Sequence, residues 1–217
     1  MSAVPPAMSA WAPKPAAARY YAAMVARLSL LFAIVYGGCA WITARFDHAS
    51  RLYFEWEQAI PLVPEMIYAY FSIAIVFLLP LFTLDEPQLR RLELAFACAT
   101  LLAGACFLAL NGQLGFERTA AEPTNWPSAV MVAFDPPRNL VPSLHVLYAA
   151  LVLRTVAAAS RRPAARVAIG VWFLVLAAST LLVHQHHVVD VVSGALGGWI
   201  AGEWTVRVAR PAVSAQY

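Results

Sequence analysis

His186 and Asp190 stand four residues apart, the spacing that places two side chains about one turn apart on one face of a helix beginning near His186. A carboxylate there holds one imidazole nitrogen, fixes the tautomer and raises the basicity of the other, as a nucleophilic or general-base histidine requires. The plainer reading is that Asp190 only caps the positive end of that helix. Steps of four continue through Gly194, Gly198 and Gly202, a smooth stripe suited to close helix packing, so this face is expected to look into a bundle. A second cluster, Asn139-Leu140-Val141-Pro142-Ser143-Leu144-His145, reads as a helix start. Ser143 can cap it, the free backbone amides form an anion site, and His145 sits in the first turn beside that site. A third cluster, Phe116-Glu117-Arg118, supplies a cation. Taken singly, His145 is an interfacial histidine and Arg118 a solvated loop charge; joint occurrence on one face makes them a candidate site.

The elements that carry these clusters are apolar. Of 217 residues, 61% are hydrophobic and 12% charged, with mean hydropathy +0.66, whereas a soluble domain carries about 25% charged residues. That deficit excludes an ordinary cytosolic globule, a coiled coil and a disordered regulator. A net charge of +3 without a basic, aromatic-interleaved tract excludes nucleic acid as a partner. A spanning helix needs about 20 apolar residues, and six segments approach this: roughly 28–44, 66–84, 94–110, 145–160, 167–183 and 188–206. The fourth and sixth are short or carry a charge. No segment alternates with period two, as a barrel strand would. The expected fold is therefore all-α, a polytopic membrane bundle of six transmembrane helices over residues 20–210, with a disordered cytoplasmic leader at 1–19 and a cytoplasmic tail at 211–217.

Basic residues set the orientation. Lys14, Arg19, Arg90, Arg91, Arg161, Arg162, Arg166, Arg207 and Arg210 fall on one side, and Arg45, Arg51, Arg118 and Arg138 on the other. Nine against four puts both termini in the cytoplasm and all three polar clusters on the outer face. Arginine supplies 14 of the 15 basic residues, consistent with a GC-rich bacterial genome, so a bacterial inner membrane is the expected location. The connection from Asn111 to Leu144 carries five prolines, at 123, 127, 136, 137 and 142, and loops of that length inside compact folds tend to be functional. Cys39, Cys98 and Cys106 lie in apolar runs and read as small hydrophobes.

These clusters resemble the type-2 phosphatidic acid phosphatase superfamily of membrane phosphoesterases. Its three-part pattern is Lys-x6-Arg-Pro, Pro-Ser-Gly-His and Ser-Arg-x5-His-x3-Asp. The second part reads here Pro142-Ser143-Leu144-His145, and the third Ser179-Thr180, five residues, His186, three residues, Asp190. The first survives as Arg118, with Asn111 at the lysine and Thr119 at the proline position. Leucine for glycine in the second part, and the third part without its arginine, look like the branch of inositol phosphorylceramide and sphingomyelin synthases, which move phosphorylated headgroups between lipids.

The resemblance implies that His186 attacks phosphorus to form a phosphohistidine and that Asp190 orients it. His145 would protonate the leaving alkoxide and then activate the water or alcohol that resolves the intermediate. Arg118 and the amides near Ser143 and Leu144 would hold phosphoryl oxygens; with Asn111 and Thr180 in place of the pattern's lysine and arginine, either His184, Arg138 and backbone amides compensate or phosphatase activity is weak. No metal or cofactor is required in this scheme. The implied partners are the bilayer and a lipid phosphate or phospholipid that enters laterally, its tails left in the membrane; the acceptor and the oligomeric state stay open. Two other readings stand beside it. His184, His186, His187 and Asp190 could bind a metal or haem in a transporter or electron carrier, although His-x-His-His spreads its side chains around a helix. Alternatively, the chain is a membrane scaffold that kept the fold without the chemistry.

Overall fold

The computed structural model describes residues 15–116 and 138–208. Among these residues seven α-helices follow in order: α1 (Pro15–Thr43), α2 (Ile67–Phe71), α3 (Ile73–Thr83), α4 (Glu86–Leu110), α5 (Leu144–Ala159), α6 (Pro163–Leu182) and α7 (Val188–Arg207). Short 3-10 turns at Glu55–Ala59 and Pro64–Met66 lie between α1 and α2. Among the described residues there is no strand, only an isolated bridge between Ser50 and Gly112. Because α2 and α3 form one broken span from Pro64 to Thr83, the six expected helices are all present, and the chain is an all-α membrane protein.

Four of them are long and apolar enough to cross a bilayer: α1, the 64–83 span, α4 and α6. The other two play a different part. α5 has 16 residues and is the core, with Val146, Ala149, Leu151 and Val152 fully enclosed. α7 packs along α5 through the predicted glycine stripe. A Cβ built on Gly194 would stand 2.6 Å from the Ser143 carbonyl oxygen, one on Gly198 2.2 Å from that of Leu147, and one on Gly202 2.8 Å from the Arg154 Cβ. Only hydrogen at those three positions lets the two backbones approach this closely.

Several helix starts differ from expectation for local reasons. α1 begins at Pro15, inside the stretch read as a leader: proline suits a first helical turn, and Ala16–Ala18 favour the helix that follows. This extension is held by Tyr20, whose hydroxyl donates to Glu93 of α4, and by Arg27, whose guanidinium donates to the same carboxylate at 2.6 Å. α4 begins eight residues before the apolar run. Asp85 accepts from the Gln88 N–H at 2.9 Å and the Gln88 side chain accepts from the Asp85 N–H at 2.8 Å, a capping box that starts a helix without apolar periodicity. The remainder of the expected leader and the tail at 211–217 lie outside the described residues.

Candidate active site

The turn joining α6 to α7 positions the first histidine. The Gln185 and His186 N–H groups both donate to the Thr180 carbonyl, at 3.1 and 3.2 Å, which closes the end of α6 and leaves His186 ahead of α7 rather than inside it. α7 starts at Val188 with His187 as its N-cap. Asp190 folds back over this end: its Oδ2 accepts the His187 N–H at 2.8 Å and lies 3.2 Å from His186 Nδ1. The contact expected from one helix face is thus made by a cap: Asp190 closes the start of α7 and meets the His186 ring with the same oxygen. His186 is 5% and Asp190 1% exposed, so little water competes for the contact. With Nδ1 engaged, Nε2 is the ring nitrogen left for chemistry.

The second histidine comes from the start of α5. Ser143 caps it, its Oγ accepting the Val146 N–H at 3.3 Å and its carbonyl the Leu147 N–H at 2.9 Å. Of the first four N–H groups, which have no intrahelical acceptor further back, those of Leu144 and His145 meet no acceptor among the described residues. The Ser143 N–H donates to the Asp190 carbonyl at 3.0 Å, tying the two helix starts together. The His145 ring stacks on Tyr70 with centroids 3.9 Å apart, and its Nε2 lies 2.9 Å from the Tyr70 carbonyl oxygen. A carbonyl only accepts, so Nε2 carries the proton and Nδ1 holds the lone pair. Tyr70 lies just before the break between α2 and α3. At that break the Ser72 Oγ donates to the Ala69 carbonyl at 2.6 Å and accepts Trp172 Nε1–H at 2.9 Å.

His145, His186 and Asn139 share one end of a cavity of about 930 Å³. Its wall runs along α1 from Gly37 to Tyr21 through Tyr36, Phe32, Leu28 and Met24, and is completed by Phe77 of α3, Phe96 of α4 and Tyr148 of α5. At 1.5 Å per residue, this apolar trough is about 24 Å long. Among the described residues no arginine or lysine lines it.

The other expected phosphate-holding residues are used differently. Leu144 lines the cavity and offers its amide. The Arg138 guanidinium donates to the carbonyls of Thr43 at 2.7 Å and Phe46 at 3.0 Å, fastening the loop before α5 to the end of α1. His184, in the left-handed region at φ 56°, places Nε2 2.9 Å from the Ile60 carbonyl and stacks on Phe116 at 4.0 Å. Asn111, at the family's lysine position, ends α4 as a left-handed cap with φ 40° and donates its side-chain amide to the His48 carbonyl. Thr180, at the arginine position, is buried and bonds within α6 to Ala177 at 2.8 Å. Arg118 lies outside the described residues. Among those described, no three His, Cys, Asp or Glu side chains converge as a metal site, because the rings of 184, 186 and 187 each face a different partner.

One buried group, Glu57, escaped the sequence reading, and a second, His187, was read there only as a candidate metal or haem ligand. Glu57 is fully enclosed; its Oε2 accepts from the Val188 N–H at 2.7 Å and lies 3.1 Å from His187 Nδ1, and its Oε1 accepts the Phe54 N–H at 2.9 Å. Burial holds the His187 ring below the usual histidine range, against the opposing pull of Asp190 and Glu57. The one signal in the sequence was an acidic residue inside the aromatic run Tyr53-Phe54-Glu55-Trp56-Glu57.

No curated protein and no solved structure matches the chain. A family model described as the PAP2 superfamily matches residues 40–202, a stretch holding both histidines, Asp190 and most of the cavity wall. That coverage supports a phosphatase-type function on lipid phosphates in a bilayer. The chain belongs to the PAP2 superfamily.

Proposed function

We propose that the protein cleaves the phosphate ester of a membrane lipid through a phosphohistidine on His186. The carrying observation is that His186, oriented through Nδ1 by Asp190, and His145 open into one cavity whose far side is an apolar trough. His186 Nε2 attacks phosphorus while the bond to the lipid oxygen breaks. His145, protonated also at Nδ1 while its Nε2–H stays on the Tyr70 carbonyl, gives the Nδ1 proton to that departing oxygen, and Nδ1 then takes one from the acceptor that resolves the intermediate. Asp190 stabilises the charge that develops on the His186 ring. The Leu144 and His145 amides at the positive end of α5, together with Arg118, hold the phosphoryl oxygens, the principal demand of phosphoryl transfer. The arrangement assigns no role to a metal. The basic-residue count supports a site on the outer face, and the arginine excess supports a bacterial inner membrane.

Headgroup transfer to a lipid alcohol is the second reading, and one observation favours it. His145 stacks on Tyr70 and shares the cavity lining with Phe71, Leu144 and Tyr148, so an acceptor approaching through the trough meets apolar walls suited to a lipid. The departures at Leu144 and Thr180, shared with the inositol phosphorylceramide synthase-like branch, point the same way. Reconstitution in vesicles with labelled lipid phosphates and phospholipid donors, with and without chelator, tests both readings. Chelator-insensitive turnover lost in His186→Ala and His145→Ala is expected. Released phosphate identifies hydrolysis and a new labelled lipid identifies transfer. Full activity in either variant would refute the roles assigned.

A further inference from the structure

Next to the His186–Asp190 pair stands a second histidine–carboxylate pair that the mechanism does not use and the three-part pattern does not contain. His187 Nε2 accepts the Gly115 N–H at 2.9 Å. An atom that accepts from an N–H carries no proton, so the proton sits on Nδ1 and is donated to Glu57 Oε2, 3.1 Å away. The same oxygen takes the Val188 N–H, and the other oxygen the Phe54 N–H. Proton direction is therefore set along the whole chain, from Gly115 through the His187 ring to Glu57. Neither an amide at position 57 nor the other tautomer at 187 satisfies every member.

The ring is also clamped from both sides. Tyr53 stacks on it at 4.4 Å and Phe116 at 4.5 Å, and Phe116 in turn stacks on His184 at 4.0 Å. These four rings join the 53–57 turn, the end of the 111–116 segment and the α6–α7 turn. There is no slack at Gly115, where a Cβ would stand 2.4 Å from the Tyr53 ring.

We propose that Glu57 and His187 are positioning residues for the phosphoryl reaction: they hold the backbone of residues 186–188, and so the direction of the His186 ring, and they dock the segment that leads into Arg118. The physical link is short. The His187 amide is one of the two donors on Asp190 Oδ2, and the His186 ring is the other. A shift of residue 187 therefore moves the carboxylate against the nucleophile it orients. Displacements near 1 Å cost about 10²-fold in rate even when they originate away from the reacting atoms.

This inference rests on His186 being the nucleophile, and the test separates the two. Glu57→Gln, His187→Asn, His187→Leu and the double variant Glu57→Gln/His187→Asn are purified beside wild type and His186→Ala. Turnover of a long-chain lipid phosphate in mixed micelles is then measured per folded molecule. Expected is a 10- to 100-fold fall in kcat for Glu57→Gln with KM within threefold, because the trough that binds the tail lies away from Glu57. His187→Asn, which keeps a donor for Glu57, should retain about tenfold more activity than His187→Leu. The double variant should be no worse than the poorer single one, since both break one chain of bonds. The proposal is overturned by folded variants with kcat within twofold of wild type, by a change confined to KM, or by variants that cannot be recovered folded, which would assign the pair to stability alone. Activity surviving in His186→Ala would instead sink the nucleophile assignment.

Discussion

Replacing single glycines on α7 by alanine isolates what close packing of two helices contributes to catalysis. At Gly198 an added Cβ meets the Leu147 carbonyl oxygen at 2.2 Å and the Ala150 Cβ at 2.7 Å. Ordinary contact starts near 3.4 Å, so α5 and α7 must part by about 1.2 Å, and neither neighbour is the end of a flexible side chain. Overpacking of this kind costs about 1–3 kcal/mol, offset by about 0.5–1 kcal/mol because alanine favours a helix interior over glycine. Gly198→Ala is therefore expected to lose about 1–2 kcal/mol net, a drop of roughly 2–8 °C in melting midpoint for a chain of this size. Its activity should fall further than its stability, because α5 carries His145 while the start of α7 carries Asp190. The matched control is Gly197→Ala on the same helix. There the nearest atom is a flexible Leu147 Cδ1 at 3.5 Å, and the melting midpoint should hold or rise. Thermal unfolding in detergent and turnover per folded molecule read both quantities. If Gly198→Ala and Gly197→Ala behave alike, the interface does not hold the site together as described.

Three further outcomes are expected. Asp190→Asn can keep the geometry, its carbonyl replacing Oδ2 and its amide falling where Oδ1, buried without a partner among the described residues, now sits; it should fold normally and lose about 10²-fold in kcat from the missing charge alone, which steady-state kinetics and a melting curve together show. Ser72→Ala removes the acceptor of Trp172 Nε1–H; it should cost about 0.5–1.5 kcal/mol in denaturant unfolding and lower kcat more than KM changes, because the break that presents the Tyr70 carbonyl to His145 loosens. His187 is held neutral in the fold. The unfolded chain therefore binds the extra proton as pH falls below the ordinary histidine value of about 6.5, and stability present above that value is lost below it. The melting midpoint should drop between about pH 7 and 5, and His187→Asn should remove part of that slope.

The membrane bundle was legible because the apolar excess leaves no alternative, and the glycines at 194, 198 and 202 announced a helix contact face before any partner helix was known. The contact of His186 with Asp190 and the Ser143 cap ahead of His145 were legible too, since a carboxylate four residues after a histidine and a serine at a helix start are short-range patterns that local backbone geometry enforces. What that geometry could not say is how the patterns are met. His186 pairs with Asp190 across a helix cap, because the chain leaves α6 through a left-handed residue at 184 and restarts the helix two residues after His186. Nor do polar residues declare their partners: Arg138 and His184 were read as phosphate ligands, yet Arg138 Nη1 donates to the carbonyls of 43 and 46 and His184 Nε2 lies against that of 60. Glu57 and His187 lie 130 positions apart, and only the folding of the 45–65 connection onto the start of α7 makes them neighbours. Sequence determines which segments leave water and which short motifs can do chemistry, because both are one-dimensional properties of the chain. The tertiary structure alone decides which donor meets which acceptor, because a buried polar group is satisfied by whatever the fold brings to it.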